Sequence, residues 1–216
     1  MGIYVGVNGV VRSVKGIDVG KSGVKHVIDA YVGVGGSVRK TYNILDDIDY
    51  VKVKFTNCYL GDGDTSNLKE STQSTCERYG SISISGNCAR VYVSSHGYSI
   101  GIYGRMYVVF KDGHEVDLRN IVNSGPRLSC RISASYYISG SEGYYFTLIY
   151  GTPLFNNEYY GSTSGSCTIS SMPSNQWGAA VGAGKYSSYS MTCEQTYNNI
   201  TIDGRSFSMK TENNLP

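Results

Sequence analysis

The chain has 216 residues, 27 of them glycine and 20 tyrosine but only 4 proline, and a formal net charge of +2. That length is enough to bury a substantial core in one large or two modest β domains, and the charge is too small to argue for a nucleic-acid partner. No stretch approaches the roughly 18 apolar residues of a membrane span, and Met1-Gly2-Ile3-Tyr4-Val5 opens without the basic and apolar regions of a signal peptide.

The first forty residues repeat a short phrase: Tyr4-Val-Gly-Val-Asn-Gly-Val, Asp18-Val-Gly-Lys-Ser-Gly-Val and Tyr31-Val-Gly-Val-Gly-Gly-Ser-Val. Its glycine pairs fall at Gly6/Gly9, Gly20/Gly23 and Gly33/Gly36, spacings of 14 and then 13 residues. A period that short fits one strand-turn-strand unit. Asn8-Gly9 between Ile3–Val7 and Val10–Val14 is a strong hairpin signal, because a type I′ turn needs positive φ at both central positions. Units of this size cannot bury a face alone and stabilise by stacking on one another or on another chain. Tyr4, Gly6, Asn8, Gly9, Gly20, Gly23, Tyr31, Gly33 and Gly36 are therefore the candidate assembly residues. Six Lys/Arg against Asp18 and Asp29 give residues 1–43 a net charge of +4, leaving −2 for the rest. A solvated strand face explains that excess more simply than an acidic partner does.

The phrase Ile3-Tyr-Val-Gly-Val-Asn-Gly-Val-Val-Arg-Ser-Val-Lys-Gly16 and its degenerate copies resemble the N-terminal repeats of phage and prophage tail-region virion structural proteins from Clostridia-like hosts. The resemblance covers residues 1–43 and departs from the pattern at Lys21-Ser22. It implies a virion component, made in the bacterial cytoplasm, whose partners are other virion proteins and further copies of itself. Tail fibres and spikes, by analogy, favour a homotrimer.

Leu45-Asp-Asp-Ile-Asp49 ends the repeat and marks a boundary near residues 43–48. Beyond it, period-2 alternation predicts strands at 50–56, 81–85, 89–94, 99–103, 106–111, 127–138 and 144–150. Further strands are expected at 166–170, 179–181, 188–194, 200–202 and 206–210. Asp112-Gly113 and Asp203-Gly204 read as hairpin turns, and Val116–Val122 as the one helical turn, stopped by Gly125-Pro126. Gly61–Glu77 lacks apolar periodicity and reads as a large surface loop or a part ordered only on assembly. Gly151–Ser166 is similar and marks a softer boundary. The expected fold class is all-β: short β-hairpin repeats (1–43), a β-sandwich-like domain (48–152), and a second β region or a continuation of the same sandwich (165–216).

The six cysteines, Cys58, Cys76, Cys88, Cys130, Cys167 and Cys193, contain no C-x-x-C spacing, which argues against a zinc site or a redox pair. Small buried hydrophobes are the simpler reading. His26, His96 and His114 fall at repeat edges or turns, without a Gly-x-Ser-x-Gly elbow. Asp46, Asp47, Asp49, Glu70, Glu77, Glu142 and Glu158 lie in polar connections, without the apolar neighbours that general-acid work requires. Gly61–Asn67 has alternating oxygen ligands, but Asn67 and Gln73 stand where a calcium-binding EF-hand needs Gly and Glu. Gly33–Gly36 lacks the G-K-[ST] of a phosphate loop. The expectation is therefore no enzyme, no cofactor and no metal.

Aromatics are the most suggestive feature of the C-terminal two-thirds. Tyr159, Tyr160, Trp177, Tyr186 and Tyr189 sit among Ser, Gly and Asn. Such surfaces resemble paratopes, where rigid rings supply area and small polar groups adapt. The same chemistry suits host cell-wall glycan, so a receptor- or wall-carbohydrate-binding protein of the tail is the first alternative. A capsid decoration protein is the second. Inter-subunit packing explains the same rings without any ligand.

Overall fold

A computed structural model describes residues 3–7, 10–14, 18–20, 24–26, 29–34, 37–62, 68–94, 97–122, 128–139, 144–147, 156–159, 163–169, 178–184 and 190–216. The strands at the repeated phrase are β1 (Ile3–Val7), β2 (Val10–Val14), β3 (Asp18–Gly20), β4 (Val24–His26), β5 (Asp29–Val34) and β6 (Ser37–Asn43). They pair antiparallel as β1–β2, β3–β4 and β5–β6, each a sheet of two strands. Val7 pairs Val10, so two residues separate these strands. Asn8 and Gly9, expected to form that turn, lie outside the described residues.

A 3-10 turn at Ile44–Asp46 leads into β7 (Ile48–Asp62), β8 (Lys69–Ser71), α1 (Gln73–Cys76), β9 (Gly80–Ser85) and β10 (Cys88–Val93). There follow β11 (Tyr98–Phe110), β12 (Glu115–Asp117), α2 (Leu118–Val122), β13 (Leu128–Ser139), β14 (Tyr144–Thr147) and β15 (Asn156–Tyr159). The last strands are β16 (Thr163–Ile169), β17 (Gly178–Gly184), β18 (Ser190–Ile202) and β19 (Arg205–Asn213). Among the described residues, eleven strands join one sheet along the path β12-β11-β7-β19-β18-β10-β9, with β13 and β16 beside β18, β17 beside β11 and β8 beside β7. No helix among them is long and apolar enough to cross a membrane.

Alternation builds the core face of this sheet. Val51, Val53 and Phe55 of β7 point inward, as do Met191, Cys193, Gln195 and Tyr197 of β18. Each long strand then shifts phase at a bulge. On β7, Tyr103 faces Asn57 and Gly104 faces Phe55, which leaves Thr56 as the extra residue and turns Cys58 inward. On β18, Arg131 faces Asn199 and Ile132 faces Tyr197, so Asn198 is extra and Ile200 and Ile202 continue the buried row. The first bulge also explains Gly104: a Cβ there would lie 2.6 Å from the Lys54 carbonyl oxygen.

The two halves of the sheet meet across the core. Phe55 and Tyr197 bring their rings to 6.3 Å. Gly80 on β9 lies under Ile100 of β11, with a would-be Cβ 3.0 Å from Ile100 Cδ1, although four strands separate them along the path. The sheet therefore bends back over its own apolar face.

Several expected elements are corrected. The strands expected at 99–103 and 106–111 are one, β11, because the bulge lets the ladder pass Gly104-Arg105. Those at 188–194 and 200–202 are likewise one, β18. The polar stretch 61–77 is not simply a loop. β7 runs to Asp62, β8 returns along it with Leu60 facing Lys69 and Cys58 facing Ser71, and α1 follows. Thr72 caps α1 by accepting from the Thr75 N–H at 3.3 Å, and Cys76 is buried at its end. Residues 63–67 lie outside the described residues. In the stretch 151–166, β15 pairs with β14 and β16 pairs with β13.

The link at 43–48 is itself packed. Ile44 and Leu45 are buried, Asp46 pairs with Arg205, and the Lys111 N–H donates to the Asp47 carbonyl at 2.9 Å. At the other soft boundary, β18 and β19 from the region 165–216 pair with β7, β10 and β13 from 48–152. The expected Asp203-Gly204 turn joins β18 to β19 with φ of 48° and 81°, the positive pair that a type I′ turn needs. α2 follows Asp117, whose Oδ1 accepts from the Arg119 N–H at 2.9 Å.

Candidate functional site

The end of the sheet where β7, β8 and β11 meet forms an open groove of about 570 Å³, lined by Leu60, Gly61, Asp62, Leu68, Lys69 and Tyr98. Ladder register places these residues together, because Asp62 faces Tyr98, and Leu60 faces both Ile100 and Lys69. The Tyr98 ring is itself stacked on that of Tyr79, at 3.7 Å between centroids with 23° between planes. The turn after α1 holds Tyr79: its N–H donates to the Cys76 carbonyl at 3.0 Å, and its carbonyl accepts from the Ser94 N–H at 2.8 Å. The hydrogen bond with the Tyr79 phenol, and then its charge, push the Tyr98 phenol up from its ordinary value. An aromatic face, one carboxylate and one ammonium around an open groove suit a polar ligand carrying a flat apolar face, as sugars do. The Asp62 carboxylate can accept hydroxyl protons, and the Lys69 ammonium can donate.

A second cluster lies on the opposite face of β7. Lys52, 7% exposed, sits between the carboxylates of Glu115 from β12 and Glu212 from β19. Lys54 is 3.3 Å from Glu212 and 5.9 Å from the centre of the Tyr107 ring. Burial alone would pull the Lys52 ammonium down, but the hydrogen bonds it donates to both carboxylates raise it overall. The Lys52 hydrogen bond holds Glu212 below its ordinary value against its partial burial. This is a cross-strand clasp joining three strands.

Lys52→Met is expected to cost about 1–3 kcal/mol at neutral pH, because two carboxylates lose the cation between them. Glu212 is depressed when folded, so its contribution is present above its ordinary value of about 4.3 and is lost as pH falls through the lower folded value. The gap between wild type and variant should therefore close toward pH 3. Urea titrations at pH 7 and pH 3 measure it, and an unchanged gap would assign the loss to packing of the Lys52 stem.

No family model, characterised protein or solved structure matches the chain. Function must therefore be argued from the residues themselves. Of the candidate assembly residues, Tyr4 and Gly6 lie in β1, Gly20 ends β3, and Tyr31 and Gly33 lie in β5. Their ladder partners are Ser13, Val11, Val24, Lys40 and Val38 respectively. Gly23 and Gly36, like Asn8 and Gly9, lie outside the described residues. Of the candidate ligand-contact residues, Tyr159 belongs to strand β15 rather than to a loop, opposite Tyr144. Tyr160, Trp177, Tyr186 and Tyr189 lie outside the described residues.

Sequence reasoning missed Tyr79 and Tyr98, which sit 19 positions apart and meet only because β9 and β10 form the hairpin between them. The signal was a tyrosine at each end of that hairpin. Of the histidines, His114 stacks on Phe110 at 4.3 Å and pairs with Asp112, His26 ends β4, and His96 lies outside the described residues. Among the described residues, no group of three or more His, Cys, Asp or Glu side chains is placed to hold a metal ion.

Proposed function

We propose that this chain is a non-enzymatic structural component of a phage or phage-like particle, in the tail, baseplate or fibre, and that it assembles through residues 1–43. One observation supports the reading above others. The strands of the repeated phrase pair only two by two, and among the described residues none joins the large sheet. An isolated two-stranded hairpin is marginal in water, and its open edges are templates for another chain. Three such pairs in tandem multiply weak edge contacts into a durable one. The body would be β-sandwich-like, a reading supported by the contact between Ile100 and Gly80. It would act as one unit, because strands from both sides of residue 152 share its ladders.

Deleting residues 1–42 is expected to leave a folded body, since Ile44 and Leu45 remain to pack the core, and to abolish self-association. Size-exclusion chromatography with light scattering should report an oligomer, a trimer by analogy with fibres, for the full chain and a monomer for the deletion. Circular dichroism confirms that the body folds. An unchanged oligomer after deletion would overturn the role given to the repeats, and absence of the protein from purified particles by mass spectrometry would overturn the virion reading.

A second reading rests on the groove. The stacked Tyr79 and Tyr98 rings beside Asp62 and Lys69 favour binding of host cell-wall glycan, with or without the assembly role. Tyr98→Ala should weaken retention on purified wall polysaccharide at least tenfold if that reading holds.

A further inference from the structure

Cys58 and Cys76 are both fully buried, and their sulfurs lie 2.7 Å apart. Non-bonded heavy atoms rest at about 3.5–4.0 Å, and bonded sulfurs at about 2.05 Å. The backbone thus already brings these side chains most of the way from contact to bond. Two neighbouring elements set the approach. Cys58 lies on β7 just beyond its bulge, with Ser71 of β8 opposite. Cys76 closes α1, whose cap and first turn are fixed by Thr72, and its thiol also points at the Tyr59 carbonyl at 3.6 Å.

The two thiols are not equivalent. Their mutual hydrogen bond pulls Cys76 below its ordinary value and pushes Cys58 above it. In that hydrogen bond Cys58 Sγ donates and Cys76 Sγ accepts, the arrangement that makes Cys76 the nucleophile of the pair and Cys58 its proton donor. Ladder register does not place Cys88 and Cys193 opposite one another, since Cys88 faces Thr196 whereas Cys193 faces Val91.

We infer that Cys58 and Cys76 are a site of reversible oxidation, closing to a disulfide when the protein meets a peroxide. When local opening at the short helix α1 admits the peroxide to this buried pair, the Cys76 thiolate attacks one peroxide oxygen and the O–O bond breaks. The departing hydroxide takes up the proton released by Cys76 and leaves as water, with Cys76 left as a sulfenic acid. The Cys58 sulfur then attacks Cys76 Sγ, the S–O bond breaks, and hydroxide leaves with the Cys58 proton as a second water. Two thiols lose two electrons, and one peroxide becomes two waters. The bond would tie α1 to β7 and so fix Tyr79 beneath Tyr98 at the groove. This inference does not depend on the assembly reading.

The test uses the full chain treated with one equivalent of hydrogen peroxide, quenched, alkylated with iodoacetamide in denaturant without reductant, and digested with trypsin. Cleavage after Lys54, Lys69 and Arg78 separates Cys58, in 55–69, from Cys76, in 70–78. The expected product is these two peptides joined, two hydrogens lighter than their sum. Recovery of both as alkylated thiols, Cys76 as a sulfinic acid beside an alkylated Cys58, or a bond from either to another cysteine would overturn the inference. The oxidised protein should also melt about 6–12 °C above the reduced one. Cys58→Ala should lose that difference, and the same rise in Cys58→Ala would assign it elsewhere.

Discussion

Phe55→Ala is expected to lower the unfolding free energy by about 3–5 kcal/mol, the range for truncating a buried aromatic. Phe55 is fully buried and tilts 59° against Tyr197, the largest fully buried side chain described. The surroundings cannot close the gap. Tyr197 is held by its phenol, which donates to Gln195 Oε1 at 2.6 Å, and by its N–H, which donates to the Asn87 carbonyl at 2.8 Å. The backbone at Phe55 is fixed from both sides, by the bulge opposite Gly104 and by the Asn214 N–H on its carbonyl at 2.9 Å. Since whole domains hold only about 5–15 kcal/mol, a urea titration should show a much lower midpoint with an unchanged slope. A loss below about 1 kcal/mol would mean that the two halves of the sheet do not share one core.

Gly80→Ala should cost about 3 kcal/mol or more, above the usual range for a single added methyl. The new Cβ would lie 1.8 Å from the Tyr92 carbonyl oxygen and 2.9 Å from its carbon. Both are backbone atoms in the β9–β10 ladder, so no side chain can swing away to relieve the clash. Relief requires β9 to separate from β10 near the Gly80–Val93 pair, next to the Ser94 N–H bond to the Tyr79 carbonyl. Gly86→Ala is the control. Its φ is +61°, and nothing lies within 4 Å of the added methyl, so only the conformational cost of about 1 kcal/mol applies. Thermal melts of the two variants should therefore differ clearly, and equal losses would refute the close approach at Gly80.

The all-β character was legible because Val51, Val53 and Phe55, or Met191, Cys193 and Tyr197, alternate with polar neighbours. Alternation failed where bulges shift phase. Thr56 turns Cys58 to an unexpected parity, so β7 read as ending there although it runs to Asp62. Asn198 does the same to Ile200, so β18 read as two strands. β11 keeps its phase and read as broken only at Gly104-Arg105. The segment 61–77 was opaque for a different reason: among its described residues the one fully buried side chain is Cys76, and their order comes from pairing and capping rather than from apolar periodicity. The groove was illegible because it is a product of register. Asp62, Lys69 and Tyr98 are unremarkable singly, and only the ladders of β7 bring them together.

The double pairing of β19 has a consequence for the order of events in folding. Its first residues form the hairpin with β18, and Met209–Asn213 then run parallel beside Val51–Phe55. Parallel pairing over some 160 positions closes a very long loop, and topologies dominated by such contacts fold slowly, in milliseconds to seconds. During synthesis β7 would keep one edge open until Arg205–Asn213 had been made. Until β19 pairs, then, the nascent chain is more exposed to aggregation than the folded body, and the rate at which the body matures depends on that strand.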